Sequence, residues 1–292
     1  MKILIALEAN STSGEVACSA GDRPWPSGSS FCLLNVVHFP DLILRPSTLF
    51  EKAKIGILKR LDHAAEPLKQ AGWNVRTEVV EGRPRLAINA FAKDWQADLV
   101  MIGARESGGS SRVCLGSTAR SVVRHAPCSV EIVRPRLEKL DKTGLRILVA
   151  TDGSEFSTAA LQSVADRPWP HGTEVKLISV PEFVLLKEFT HLKPEEIERF
   201  ADLGAASVED AKRCLAAGLE VFSRSGLLVS TEVPRFEERP YQVILHEASQ
   251  WDADLIVLGS HGRGAFDRMI MGSVAEAVAF HTTCSVEVIR RS

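Results

Sequence analysis

Leu255-Ile256-Val257-Leu258-Gly259-Ser260-His261-Gly262, then nine residues, then Gly272-Ser273-Val274-Ala275-Glu276, decides how the chain is read. The apolar run is continuous rather than alternating, which suits a strand covered on both faces, as in a parallel sheet flanked by helices. Gly259, directly after that run, lets the backbone turn and approach a ligand, and Gly262 and Gly264 free the loop for positive φ. Gly272-Ser273 opens the next helix, so its amides and the Ser273 hydroxyl can face anionic oxygens, with Val274 in the same first turn. Spacing alone leaves two readings open, a phosphate cradle and a plain tight connection. Walker A (GxxxxGK[ST]) is absent, and Gly262-Arg263-Gly264 is not followed by the glycine that GxGxxG requires.

Outward from this stretch the chain repeats itself. Lys2-Ile3-Leu4-Ile5-Ala6-Leu7-Glu8 aligns with Arg146-Ile147-Leu148-Val149-Ala150-Thr151-Asp152, and Arg23-Pro24-Trp25-Pro26 with Arg167-Pro168-Trp169-Pro170, both at an offset of 144. At an offset of 156, Trp95-Gln96-Ala97-Asp98-Leu99 matches Trp251-Asp252-Ala253-Asp254-Leu255, and His125-Ala126-Pro127-Cys128-Ser129-Val130-Glu131 matches His281-Thr282-Thr283-Cys284-Ser285-Val286-Glu287. Two copies of one domain are therefore expected, over 1–137 and 144–292, joined by the charged segment from Arg134 to Gly144.

Each copy reads as strands alternating with helices. In the second, strands are expected at 146–151, 174–180, 227–233, 254–259 and 285–290, and helices at 154–166, 194–224, 240–251 and 273–281. Ser154 serves as an N-cap, Pro194 stands where a helix start tolerates proline, and Gly226 lies just past a helix end. Helix-length crossovers predict α/β domains with parallel sheets, and ligands in such sheets bind beyond the carboxyl ends of the strands. Asp152 follows the first strand of the copy and Gly259 the fourth, which places both at that edge.

Composition narrows the function classes. With 35 basic and 37 acidic residues there is no field of one sign to favour nucleic acid or a membrane surface. The six cysteines form no CxxC pair and are too sparse for a disulfide framework, which suits a reducing cytosol. The apolar start is short and ends at Glu8, so it reads as a strand rather than a leader, and no run of about 18 apolar residues predicts a membrane span.

Gly259-x2-Gly262-x9-Gly272-Ser273 resembles the ATP-binding motif of the universal stress protein family. Thr151-Asp152-Gly153-Ser154 resembles that family's first acidic turn, and His281 to Arg290 its closing segment. The resemblance spans both copies and implies a tandem of two Rossmann-like, five-stranded parallel-sheet domains of the adenine nucleotide alpha hydrolase type. It implies a cytoplasmic protein that binds ATP, alone or with Mg2+, and acts in the stress response. Asp152, with Ala150 and Thr151 beside it, would meet the adenosine; Val180 would line the adenine pocket. Gly259, Gly262, Gly264, Gly272, Ser273 and Val274 would hold ribose and phosphates. His261, Arg263 and Arg268 could add charge or hydrogen bonds, a solvated loop arginine being the plainer state. The resemblance also implies an internal pseudo-dimer, with the final strands Ser129–Arg134 and Ser285–Arg290 as pairing edges, and a homodimer. A nucleotide-free interaction module is the alternative. No nucleophile, base and oxyanion set converges, so efficient catalysis is not expected.

The first copy departs from this pattern. Glu8 stands for Asp152, Glu106 stands for Gly262, and Gly116-Ser117 survive. A long side chain at a positive-φ position is strained, and a carboxylate repels phosphate, so the second copy is the expected site. Ser107-Gly108-Gly109-Ser110-Ser111 resembles a pyrophosphatase phosphate loop but follows the wrong strand and lacks its aspartate. The two His-x2-Cys pairs read better as a helix-ending histidine and a buried strand cysteine than as a zinc site. The Arg-Pro-Trp-Pro repeats read as rigid turns.

Overall fold

The computed structural model describes residues 1–8, 13–39, 47–104, 115–134, 144–181, 194–234, 238–263 and 271–291. In chain order the elements are β1 (Lys2–Ala6), α1 (Ser13–Gly21), β2 (Ser30–Val37), α2 (Ser47–Gln70), β3 (Asn74–Glu81), α3 (Pro84–Trp95), β4 (Leu99–Gly103), α4 (Ser117–His125) and β5 (Ser129–Val133). There follow β6 (Arg146–Ala150), α5 (Glu155–Ala165), β7 (Glu174–Ile178), α6 (Pro194–Val221), β8 (Leu228–Glu232), α7 (Pro240–Gln250), β9 (Leu255–Gly259), α8 (Ser273–His281) and β10 (Ser285–Ile289). They fall into two compact units. One comprises Met1–Leu140 with Arg167–Pro170 and Ser285–Ser292, the other Asp141–Asp166 with His171–Cys284.

Both units follow one plan. The strand order β3-β2-β1-β4-β5 in the first is wholly parallel, as helical crossovers require, and β8-β7-β6-β9 in the second repeats its first four positions. Ile3 faces Phe31 on one side and Leu99 on the other; Ile147 faces Val175 and Leu255 in the same way. The first strand of each copy is thus central, and its neighbours depart in opposite directions. This leaves a crevice at its carboxyl end. β9 is buried at all five positions, as its unbroken apolar run predicts.

The repeated sequence motifs have structural jobs. In Trp-x-Ala-Asp-Leu the aspartate accepts from the first amide of the central strand, Asp98 from Lys2 and Asp254 from Arg146, both at 2.7 Å. The basic side chains at those positions reach back to the Trp95 and Trp251 carbonyls, each at 3.2 Å. The residue after each tryptophan sits at matching positive φ, Gln96 at 57° and Asp252 at 52°. The Arg-Pro-Trp-Pro segments hold more than turns. In the first unit, Nη2 of Arg23 donates to both carboxylate oxygens of Glu131 at 2.8 Å. Arg167 contacts Glu287 through Nη1 at 2.8 Å and through Nη2 as well. Each guanidinium lies over its own tryptophan, Arg23 over Trp25 and Arg167 over Trp169. β10 runs antiparallel to β5 in this unit, with Glu287 directly opposite Glu131. All four charged side chains are buried. Burial raises the Glu131 carboxyl above its ordinary pKa; Arg23 opposes this and Glu287 adds to it, leaving the net direction upward.

Candidate functional site

The second unit encloses a cavity of about 700 Å³ at the carboxyl ends of β6, β7 and β9. That lies within the range of small-molecule sites, at the crevice where the strand order reverses. β6 supplies Ala150, with Thr151 and Asp152 following it, and Val180 lies just beyond β7. Gly259, His261, Gly262 and Arg263 come from the end of β9, and Gly272, Ser273 and Val274 from the start of α8. Thus the structure brings together every described residue singled out for the site by sequence; Gly264 lies outside the described residues. Arg268, Glu106, the Ser107–Ser111 segment and most of the join between copies lie outside them too.

The first turn after β6 is built by side-chain capping. Ser154 is the N-cap of α5, its Oγ accepting from the Ser157 amide at 3.2 Å, as expected. Asp152 holds the turn before it, accepting from the Ser154 amide at 3.0 Å through Oδ1 and from the Arg263 amide at 3.1 Å through Oδ2. Burial pushes the Asp152 carboxyl up, but hydrogen bonds from Ser154, Ser157 and the Arg263 amide outweigh it and hold the group below the usual carboxylate range.

The glycines act differently from expectation. Neither Gly259 nor Gly262 is among the described glycines with positive φ. Their need is steric. A Cβ on Gly262 would stand 2.8 Å from Asp152 Oδ2, and one on Gly259 would meet the Phe156–Ser157 backbone at 2.6–2.7 Å. Gly259 therefore lets α5 approach β9, whereas Gly262 lets the loop lie against the aspartate. A glutamate at Gly262, the residue type the first copy's sequence has at the matching position, would be incompatible with this arrangement through its approach to Asp152.

α8 starts at Ser273 behind Gly272, which has no side chain to cap the first-turn amides. The first turn of α8, from Gly272 to Ala275, lines the cavity, and Ser273 is exposed there; a helix start carries the positive end of the helix dipole. Gly272 is itself fixed by its amide, which donates to the Ser260 carbonyl at 2.8 Å. The Arg263 side chain is 47% exposed, as a solvated loop arginine would be, yet its guanidinium is already engaged by protein groups. Its guanidinium group binds the Asp152 carbonyl, the Asp210 carboxylate and, at 2.9 Å, Cys214 Sγ. His261 is 5% exposed, stacks against Phe156 with ring centroids 4.8 Å apart, and places Nδ1 2.9 Å from Ser260 Oγ.

Sequence reasoning missed the wall supplied by α6: Ser207, Asp210 and Ala211, with Cys214 one turn on. Their i, i+3, i+4, i+7 spacing marks one helix face, but only the fold shows that this face borders the site. Pro240 and Ile244 of α7 were missed likewise. In the His-x2-Cys pairs, each histidine ends a helix, and Cys128 is buried whereas Cys284 is only partly so. His125 Nδ1 lies 2.9 Å from the Ser121 carbonyl at the end of α4, and burial pushes the Cys128 thiol up to about 12. Among the described residues, no three His, Cys, Asp or Glu side chains gather as a metal site, and no helix is long and apolar enough to cross a membrane.

A profile of the universal stress protein family matches residues 1–134 and again 145–290. The chain belongs to the universal stress protein family. It is a tandem member, with one match for each sequence copy. A universal stress protein of Mycolicibacterium smegmatis is 32% identical over 222 residues, covering 75% of this chain and 70% of that protein. One from Mycobacterium tuberculosis is 28% identical over 220 residues, with the same coverage. The crystal structure of a universal stress protein from Archaeoglobus fulgidus superimposes with a TM-score of 0.67 over 100% of this chain and 96% of that one, at 20% identity. That likeness establishes the universal stress protein fold.

Proposed function

We propose that the second unit of this universal stress protein binds ATP, and that occupancy of the site regulates the protein during stress. The observation that carries this reading is the cavity at the strand-order reversal, into which the uncapped start of α8 opens. A helix start of this kind favours anionic oxygens, so the α8 amides and the Ser273 hydroxyl suit the phosphates. Val180 and Ile244 offer apolar wall for the base, and Asp152 an acceptor for the adenosine. Two carboxylates, Asp152 and Asp210, and the guanidinium of Arg263 line the cavity. This balance favours ATP entering as its less negatively charged Mg2+ complex.

The test is equilibrium binding of ATP to the wild-type chain and to Gly262→Glu. The substituted side chain would start 2.8 Å from Asp152 Oδ2 and bring a second carboxylate to the site. Binding to wild type with a loss of 100-fold or more in the variant, on the order of 3 kcal/mol, is the expected result. Equal affinities would sink the assignment of ATP to this site, and no binding to wild type would favour a nucleotide-free interaction module.

A further inference from the structure

Arg263 leaves the end of β9 and reaches a helix on the far side of the central strand. The strand order is β9-β6-β7-β8, and α6 lies over β7 and β8. On the way the guanidinium donates through Nε to the Asp152 carbonyl, just beyond β6. It ends on α6, at the Asp210 carboxylate through Nη1 and at Cys214 Sγ through Nη2, the latter at 2.9 Å. All three nitrogens are therefore engaged, which a planar guanidinium can do and the single nitrogen of a lysine cannot. The main chain is tied down as well, the Arg263 amide donating to Asp152 Oδ2 at 3.1 Å. Gly153, at φ 75°, makes the room: a Cβ there would stand 3.1 Å from Arg263 Nη2 and 2.9 Å from Cys214 Sγ.

This contact lies at the opening of the cavity rather than on its floor. Asp152, Asp210 and Arg263 all line the cavity, with the Asp210 and Arg263 side chains 34% and 47% exposed. Thr151, Ile178, Ser179 and Leu258 line it too, and all four are buried. A chain of contacts from one wall to the other at the open end stands in the path of an entering molecule. The other Asp210 oxygen accepts from Arg213 at 2.9 Å, an exposed i, i+3 neighbour that does not line the cavity.

We propose that Asp210 is a positioning residue: acting through Arg263, it holds a strap across the mouth of the cavity, and the ligand enters and leaves when that strap parts. The guanidinium also covers Cys214, which is buried behind it, so the same opening admits a thiol reagent. An ion pair this exposed is weak, so the strap opens often and tunes exchange rather than sealing the site. The effect on nucleotide exchange rests on the ATP reading, whereas the strap does not.

Labelling of Cys214 by iodoacetamide, followed by peptide mass mapping, compares wild type, Asp210→Asn, Arg263→Lys and Arg213→Gln, each rate corrected for thiolate fraction from that variant's own pH profile. Stopped-flow association of 2-aminopurine riboside, a fluorescent adenosine analogue, is measured in parallel; this ligand is neutral, so a lost charge does not alter its steering. Asp210→Asn should label about 2- to 5-fold faster than wild type, and the riboside should enter faster by a similar factor, the range over which one exposed pair shifts an opening equilibrium. Arg263→Lys keeps the charge but not the three-way contact, and should label at least as fast as Asp210→Asn. Arg213→Gln, which removes a charge beside Asp210 without touching the strap, should label at the wild-type rate. A labelling rate in Asp210→Asn equal to that of wild type, or matched by Arg213→Gln, would overturn the strap. Faster labelling with unaltered or slower riboside entry would overturn its place on the ligand's path. If wild type binds neither the riboside nor MgATP, the ATP reading fails, and the labelling rates alone sustain or overturn the strap.

Discussion

Replacing Arg167 with methionine removes the charge that faces Glu287 while keeping most of the side chain's length. The two partners are 7% and 0% exposed, so the abandoned carboxylate has no route to water. It also stands opposite Glu131, a second buried acid already pushed upward by its surroundings. Breaking a buried pair from one side costs about 3–5 kcal/mol, and the facing glutamate places this case at the upper end. Removing both partners, as Arg167→Met with Glu287→Leu, should return most of that loss, because the desolvated charges leave together. Urea denaturation followed by tryptophan fluorescence is a fitting assay, since Arg167 lies over Trp169 and reports locally. A single variant within about 1 kcal/mol of wild type, or a double variant no more stable than the single one, would refute the account of this cluster as two obligate buried pairs.

Ser154→Ala removes the cap of α5 and should cost about 1 kcal/mol, measurable by the same denaturation. Asp152 is held below its ordinary value, so its contribution is present above the unfolded carboxylate pKa and lost as pH falls through the lower folded one. Asp152→Asn should therefore be less stable than wild type at pH 6, and the gap should close below about pH 4. Cys18 is exposed, whereas burial lifts the Cys32 thiol to about 11 and the Cys128 thiol to about 12. A thiol reagent at pH 8 should label Cys18 promptly and reach the other two only on unfolding, as peptide mass mapping would show.

The fold was legible because several signals agreed. The β9 run, the cap at Ser154 and the glycine after α6 each carried a local cause, and the duplication allowed one copy to check the other. The edge of the sheet that holds the site followed from topology. The side-chain arrangements across the site did not. Arg263 is spent on Asp210 and Cys214 because α6 passes beside the loop, a proximity between residues 49 and 53 positions apart. Gly262 looked like a conformational glycine, but its requirement arises from Asp152, 110 positions earlier, so backbone preference alone could not identify it. The Arg-Pro-Trp-Pro repeats were visible as repeats, yet their partners Glu131 and Glu287 were hidden in strands that read as ordinary apolar runs.

The pairing of β5 with β10 has a consequence for synthesis. Ile132 lies opposite Val286, so 154 residues must be made between one edge and the strand that completes it. At about 5–20 residues per second, that interval is roughly 8–30 s. Throughout it, the newly made edge of β5 has open backbone groups and an acid awaiting enclosure, the condition in which strand edges recruit unrelated chains. The order of translation therefore sets a window of vulnerability, closed only when β10 emerges.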